Sequence, residues 1–293
     1  MNLSVVNNKS FSVAAKEMFV SQPTISMHIK TLEREIGEQL LIRSTKDVIL
    51  SEAGMVFYPY AVQMLKAEEE ALFHMQNKGK ELTGEVLIAS SSVPANYVLP
   101  GFLAYSKKKC KGISYRILEG DSTEVIQKIL RFEGEIGIGS IKPLTPKCMS
   151  FPLVKDKIVL VTPNTRKYAS FQGVFNRNEL KREEFVIREK GSGTKAAGES
   201  LEKKLGLEPE KVRVIAEVQT TETLKRVVAE GVGIAFVSSI AVRDYLEQGK
   251  LLAFEFPEIA NERQLYLLWH EERNLSRAGE HAVELLKEYC DKI

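Results

Sequence analysis

The chain has 293 residues, 44% apolar and 27% charged, with a formal net charge of +2 that is too small to name a partner; this fits a soluble globular protein of more than one domain. Cys110, Cys148 and Cys290 are far apart and show no C-x-x-C spacing, which argues against a disulfide framework or a zinc site and for a reducing cytoplasm. There is no run of about 18 apolar residues and no basic start followed by an apolar stretch, so neither a membrane helix nor an export signal is expected.

Residues 1–52 read as short helices followed by a small ribbon. In "SFSVAAKEMFV", Ser10 is a candidate cap, and Phe11, Ala14, Ala15 and Met18 recur at helical spacing. A break falls near Phe19-Val20. Ser21 then caps a second helix, Pro23 sits harmlessly in its first turn, and Gly37 is a natural stop. Ile25, Ile29, Leu32 and Ile36 share one side of it; Gln22, Thr24, Ser26, Met27 and Lys30 share the other. Two helices joined by a tight turn, the second polar on its outer face, make a helix-turn-helix pattern. "RSTKDVIL", Arg43 to Leu50, would form a hairpin wing with Lys46-Asp47 in its turn. The short amide and hydroxyl side chains can read base edges in a major groove, while Lys30 and Arg43 would meet phosphates. A capped surface helix in a helical domain is the other reading. Charge does not choose between them, because residues 1–52 hold six Lys/Arg and six Asp/Glu.

The run "SFSVAAKEMFVSQPTISMHIKTLEREIGEQLLIRSTKDVILSEAG" resembles the N-terminal winged helix-turn-helix of LysR-type transcriptional regulators. Ala14-Ala15, Ser21-Gln22-Pro23, Ile25-Ser26, Leu32-Glu33, Gly37, Leu40-Leu41, Arg43 and Ala53-Gly54 fall in the family's order. The resemblance implies double-stranded promoter DNA with a two-fold site as a partner. Its DNA-binding positions would be Ser10, Ser21, Gln22, Pro23, Thr24, Ser26, Met27, Lys30 and Arg43. Family members carry more residues ahead of the counterpart of Leu3, so an in-frame start codon upstream of Met1 is expected.

Residues 53–82 read as one long helix capped by Ser51 and kinked at Pro59. Phe57, Ala61, Met64, Glu68, Ala71 and Met75 are spaced as a heptad seam, interrupted by Glu68. Such a seam either packs on its own chain or forms a dimer, and a two-fold DNA site supports the dimer. The resemblance implies a dimerising linker helix here, through Phe57, Ala61, Met64, Ala71 and Met75, in a homodimer or a homotetramer built as a dimer of dimers.

Residues 83–293 alternate strands ("EVLIA", "ISYRIL", "EIGIG", "IVLVT", "EFVI", "VRVIAEV", "GIAFV", "LLAFEF", "QLYLLW") with helical stretches, which argues for mostly parallel sheets covered by helices. Such sheets bind ligands at strand ends beside helix N-termini. Hydroxyls collect there: Ser90, Ser91 and Ser92 after the first strand, Ser140 after "GIG", Ser192 and Thr194 in "GSGT", and Thr220 and Thr221 before "ETLKRVV". Taken singly these are good caps; taken as a set they favour a small anion. No phosphate loop is present, since "GEIGIG" lacks a following Lys-Ser/Thr.

The resemblance implies an α/β effector domain of two Rossmann-like, periplasmic-binding-protein-like lobes. Lobe I would take 84–161 and 264–293 and lobe II 162–263, with a small effector between them on Ser90, Ser91, Ser92, Ser140, Ser192, Thr194 and Thr221. "IASSSVPANYVLP" and "GSGTK" are similar to sulfur- or selenium-linked members, which points to a sulfate-like oxyanion. Val93 departs from members that carry a hydroxyl there.

His28, His74, His270 and His281 are scattered, and neither H-E-x-x-H nor G-x-S-x-G occurs. Cys110 within "KKKCK" reads as a surface thiol at a solvated helix end. A catalytic role, a metal or another cofactor is therefore not expected. The leading reading is a cytoplasmic, effector-responsive transcription regulator. A cytosolic solute-binding protein and a small-molecule transferase using the same cleft are the alternatives.

Overall fold

The computed structural model describes residues 3–43, 48–76, 82–208 and 212–292, with some side chains before residue 77 left out. It divides into two compact units, Met1–Lys80 and Glu81–Ile293.

The first unit runs α1 (Leu3–Asn8), α2 (Phe11–Glu17), α3 (Gln22–Ile36), β1 (Leu41–Arg43), β2 (Val48–Leu50) and α4 (Glu52–Gln76). Ser10 and Ser21 cap α2 and α3, accepting from Val13 N and Thr24 N at 3.3 Å each. Gly37 ends α3 in the left-handed region at φ 81°, which costs glycine nothing. The α2–α3 turn passes through Phe19 at φ 55°, a strained value for a bulky residue. Phe11, Ala14, Ala15, Ile25 and Ile29 close the core with Val5, Leu41 and Val48. Glu33 ties α3 to the ribbon, its carboxylate accepting from Leu40 N at 2.8 Å and Leu41 N at 3.1 Å. β1 and β2 pair antiparallel, as the wing expectation requires. The Lys46-Asp47 turn lies outside the described residues.

α4 contains Pro59. Ala61 is buried within its own unit and Phe57 half-buried, whereas Met64 is exposed. The exposed apolar stripe instead runs through Val56, Tyr60 and Met64, with Met55, Leu65 and Leu72 beside it. Of the expected heptad positions, Ala61 is thus covered within its own unit, Phe57 is half-buried and Met64 is exposed. The side chains of Ala71 and Met75 lie outside the described residues.

The second unit comprises β3 (Gly84–Ser91), α5 (Ser92–Tyr97), α6 (Leu99–Lys109), β4 (Ile113–Gly120), α7 (Ser122–Leu130), β5 (Ile136–Gly139), β6 (Cys148–Pro163), α8 (Arg166–Ala169), α9 (Arg177–Leu180), β7 (Glu184–Arg188), α10 (Gly193–Lys204), β8 (Arg213–Val218), α11 (Thr221–Ala229), β9 (Ala235–Ser238), α12 (Ser239–Glu247), β10 (Leu251–Phe254), β11 (Glu262–His270) and α13 (Arg277–Cys290). A seven-stranded sheet runs β10-β6-β11-β5-β3-β4, with β9 also on β6. β7 and β8 form a separate parallel pair, bridged to this sheet by Phe185 and Ile234.

The pairing is more mixed than expected. β3 is parallel to β4 and β5, but β11 and β6 run antiparallel to their neighbours. β6 also starts earlier than the "IVLVT" reading. Its first half, bearing Pro152, Lys155, Asp156 and Lys157, lacks an apolar run yet pairs with β11 from Cys148 to Lys157. Its second half pairs with β9 and β10. β6 thus passes from one half of the unit to the other.

Each half is layered on both faces. In the first, Phe102, Leu285 and Leu286 of α6 and α13 pack on Val86, Ile88 and Ile136, while Val125 and Ile129 of α7 cover Ala89 and Leu268. In the second, Leu201 of α10 lies with Phe185 and Phe236, and Leu224, Val228 and Val242 of α11 and α12 cover Val159 and Val237. The C-terminal ends of β3, β4, β5 and β7 are left to carry polar loops, as expected for parallel strands.

Candidate functional sites

The outer face of α3 bears the residues expected to meet nucleic acid. Pro23, Met27 and Lys30 are exposed, Met27 by 59%. Thr24 and Ser26 are half-buried. Ser21 Oγ and Thr24 Oγ1 are 2.7 Å apart, and Gln22 Oε1 accepts from Ser12 Oγ at 3.1 Å. The first turn of α3 is therefore held rigid by its own hydroxyls and by α2. Ser10 is engaged as the α2 cap. Arg43 lies in β1 by its backbone, and its side chain lies outside the described residues.

In the second unit, Ser91, Ser92, Ser140, Ser192 and Thr194 converge on one small cradle. Its free volume is about 10 Å³, room for about one water. Thr221 joins from α11: Ser92 Oγ donates to Thr221 Oγ1 at 3.0 Å, and Thr221 N donates to Ser92 Oγ at 3.3 Å. Ser90 does not line the cradle; it is fully buried, with its hydroxyl on Ser91 O at 3.2 Å. A strand turns successive side chains to opposite faces, so three serines in a row cannot share one site unless the strand ends between them.

Capping accounts for some of these hydroxyls and not for others. Thr220 caps α11, accepting from Thr223 N at 3.0 Å. Ser91 and Ser192, the N-cap residues of α5 and α10, make no side-chain cap bond. At Gly193 a Cβ would come within 2.0 Å of Ser140 Oγ, so any side chain there would push the Ser140 hydroxyl out of its present position. That close approach brings the start of α10 down onto β5.

Three further polar residues, Asp121, Ser122 and Arg188, line the cradle, and Arg263 braces it through Thr194. Ser122 Oγ lies 3.1 Å from Ser140 Oγ. Asp121 lines the wall, but its Oδ1 caps α7, accepting from Thr123 N at 2.7 Å and Glu124 N at 2.8 Å. Arg188, buried at the end of β7, donates to Thr221 Oγ1 at 2.6 Å and to Gln219 O at 2.8 Å, and is neutralised by Glu189 at 2.7 and 2.8 Å. Arg263 on β11 donates to Asp156 at 2.7 Å and to Thr194 Oγ1 at 3.2 Å, while its Nη2 is buried with no partner among the described residues. Burial pushes this guanidinium below its usual range, and Asp156 opposes that. Arg188 follows the apolar run "EFVI" and so had a sequence signal; Arg263 had none.

Behind the cradle, Lys225 of α11 is 0% exposed. Its Nζ donates to both Asp244 oxygens at 2.8 and 2.9 Å, to Glu222 at 2.9 Å and to Tyr97 OH at 2.9 Å. The ammonium lies 4.9 Å from the Tyr97 ring centre and 4.6 Å from that of Tyr245. Tyr97 OH also donates to Glu222. Burial first, then the Glu222 hydrogen bond, raises the Tyr97 phenol, which stays a donor. Burial alone would raise Glu222, but hydrogen bonds from Tyr97 and Lys225 outweigh it and hold the carboxyl low. Among the described residues no group of His, Cys, Asp and Glu could hold a metal ion. No helix of the described residues is long and apolar enough to cross a membrane.

Residues 79–291 match the family described as LysR substrate binding domain, and residues 3–55 match the bacterial regulatory helix-turn-helix protein, lysR family. The HTH-type transcriptional regulator CysL of Bacillus subtilis is 27% identical over 263 residues, covering 90% of this chain and 87% of that protein. Two solved structures are similar in fold. CbnR complexed with its target DNA has a TM-score of 0.66 at 17% identity, over 99% of this chain and 96% of that one. The regulatory domain of Synechocystis CcmR in complex with 2-PG has a TM-score of 0.65 at 21% identity, over 72% of this chain and 99% of that one.

Proposed function

Since this chain belongs to the LysR family of transcriptional regulators, with a DNA-binding head and an effector-binding domain, we propose that its effector is a small oxyanion or an anionic headgroup seated on Ser91, Ser92, Ser140, Ser192, Thr194 and Thr221. One observation carries this reading. Two helix starts reach the cradle with N-cap serines that leave their own helices uncapped. Unsatisfied N–H groups and hydroxyls at such a place favour negative charge. Arg188 adds no net charge, being matched by Glu189, so the cradle would bind by hydrogen bonds and helix dipoles. Room for about one water means that the halves must part to admit an anion, which makes occupancy and conformation interdependent.

The proposed boundaries are 1–52 for the head, 53–82 for the linker helix, and 83–293 for the effector domain with lobes 84–161 plus 264–293 and 162–263. The protein would act in the cytoplasm as a homodimer or homotetramer, through the exposed stripe of α4. No catalytic step is assigned to the cleft.

The test is a thermal-unfolding screen of the full chain with sulfate, thiosulfate and 2-PG at matched ionic strength. Saturation at about 100 times the dissociation constant should add about 2.7 kcal/mol, and Ser92→Ala with Thr221→Val should remove the gain. If no compound shifts the melt, or the double variant responds as wild type does, the cradle is not an anion site.

A further inference from the structure

A second cavity lies between α10 and the strands it covers. Phe185, Phe236, Val212 and Val214 form its apolar wall, and Gly198 and Glu202 of α10 face them. Its free volume is about 80 Å³, space for a few waters or a small organic ligand. Arg188 and Thr194 border both this cavity and the cradle. Glu202 is nonetheless eight residues along the helix from Thr194, about 12 Å, beyond the reach of one small anion seated on the cradle.

Glu202 is only 6% exposed, and no described residue donates a hydrogen bond to its carboxylate. Lys195, the residue after Thr194, is occupied by Glu217 at 3.1 Å. Burial first, then Glu199, pushes the Glu202 carboxyl up to about 7, with Lys195 opposing. A carboxyl serves poorly as wall material, because burying it unpaired costs stability that a Leu or Met would not. Its chemistry suits a ligand that brings a donor and a positive charge. Charge-assisted N–H···O bonds are roughly twice as strong as neutral ones. The Phe185 and Phe236 rings, stacked at 5.8 Å, add an aromatic wall that attracts a cation and receives hydrocarbon.

We infer that this cavity is a second ligand site, selective for a primary ammonium with a short apolar body and anchored by Glu202. The carboxylate accepts the ammonium N–H groups, the hydrocarbon lies against Phe185, Phe236 and Val214, and an anion of the same size is refused.

The experiment is calorimetric titration of the full chain with n-butylammonium chloride, with sodium butyrate and sodium chloride as controls. Near pH 8, saturable binding of the ammonium alone is expected. Glu202→Gln, nearly isosteric, should weaken it by about tenfold or more. Val214→Phe should block it with Glu202 intact. Ser140→Ala, at a cradle residue that does not border this cavity and whose hydroxyl meets Ser122, should leave it unchanged, so failure here is distinguishable from failure of the cradle. Affinity should fall from about pH 8 to about pH 6 as Glu202 takes up a proton. Beside Glu202, the charged groups at the cavity are Lys195 and Glu199 on α10 and Arg188 on β7; β8 and β9 present Val214 and Phe236, and Val212 precedes β8. Absence of saturable heat with wild type, equal binding by Glu202→Gln, or equal binding of butyrate would overturn the assignment.

Discussion

Lys225→Met keeps most of the volume of a fully buried side chain and deletes its charge. Four hydrogen bonds to Asp244, Glu222 and Tyr97 disappear together with two ring contacts. Breaking a fully buried ion pair typically costs about 3–5 kcal/mol. Here the carboxylates left behind are 36% and 47% exposed and regain water, so about 2–3 kcal/mol is expected. Urea unfolding followed through Trp269, the single tryptophan of the chain, reports the second unit. The midpoint should fall with the slope unchanged. Tyr97→Phe combined with Lys225→Met should show a coupling of about 0.5–3 kcal/mol, since Tyr97 on α5 is joined to α11 through this cation. Glu222 has a folded-state pKa below its ordinary value, so its contribution is present above about pH 4.5 and is lost as the pH falls through the lower value. The gap between wild type and Lys225→Met should therefore narrow in acid. A variant within about 0.5 kcal/mol of wild type, or additive double-mutant effects, would refute the idea that Lys225 clasps the two halves behind the cradle.

Phe19→Gly relieves a left-handed residue and should stabilise the head by about 0.5–1 kcal/mol, after allowing for the greater freedom of glycine in the unfolded chain; a loss in the head's melting midpoint would count against strain at that turn. Thr24→Ala with Ser26→Ala should weaken binding to a cognate duplex more than to random DNA, at about 1–3 kcal/mol per lost base contact; equal loss on both in a titrated gel shift would show that these hydroxyls do not read bases. Glu202 has a folded pKa raised to about 7, so its stability contribution is full below about pH 4.5 and is lost as pH rises through 7. Glu202→Gln should then gain about 1–3 kcal/mol over wild type near pH 8 and little near pH 5, and a difference independent of pH would contradict that assignment.

What was legible in the sequence was local. Ser10, Ser21 and Gly37 mark helix ends through bonds to neighbours a few residues away, so a linear reading finds them. Ile25 and Ile29 fall on the buried side because helical periodicity sets that face. Ser91, Ser92, Ser140, Ser192 and Thr194 were legible as a set, because apolar runs ending in hydroxyls mark strand ends wherever the chain goes. On α4, helical spacing names several possible stripes, and only the tertiary structure separates the buried Ala61 from the exposed Val56, Tyr60 and Met64. The first half of β6 was invisible because its Pro, Lys and Asp lack a strand's pattern; pairing with β11, more than a hundred residues later, makes it a strand.

The family, the head and the alternating α/β class were thus determined by the amino-acid sequence itself, since caps, turns and periodicity act over a few residues. The tertiary structure alone decided that Arg263 braces the cradle, that Ser90 is excluded from it, and that Lys225 and Glu202 are buried. Burial and charge pairing depend on which distant segments are brought together, and no short stretch of sequence carries that information.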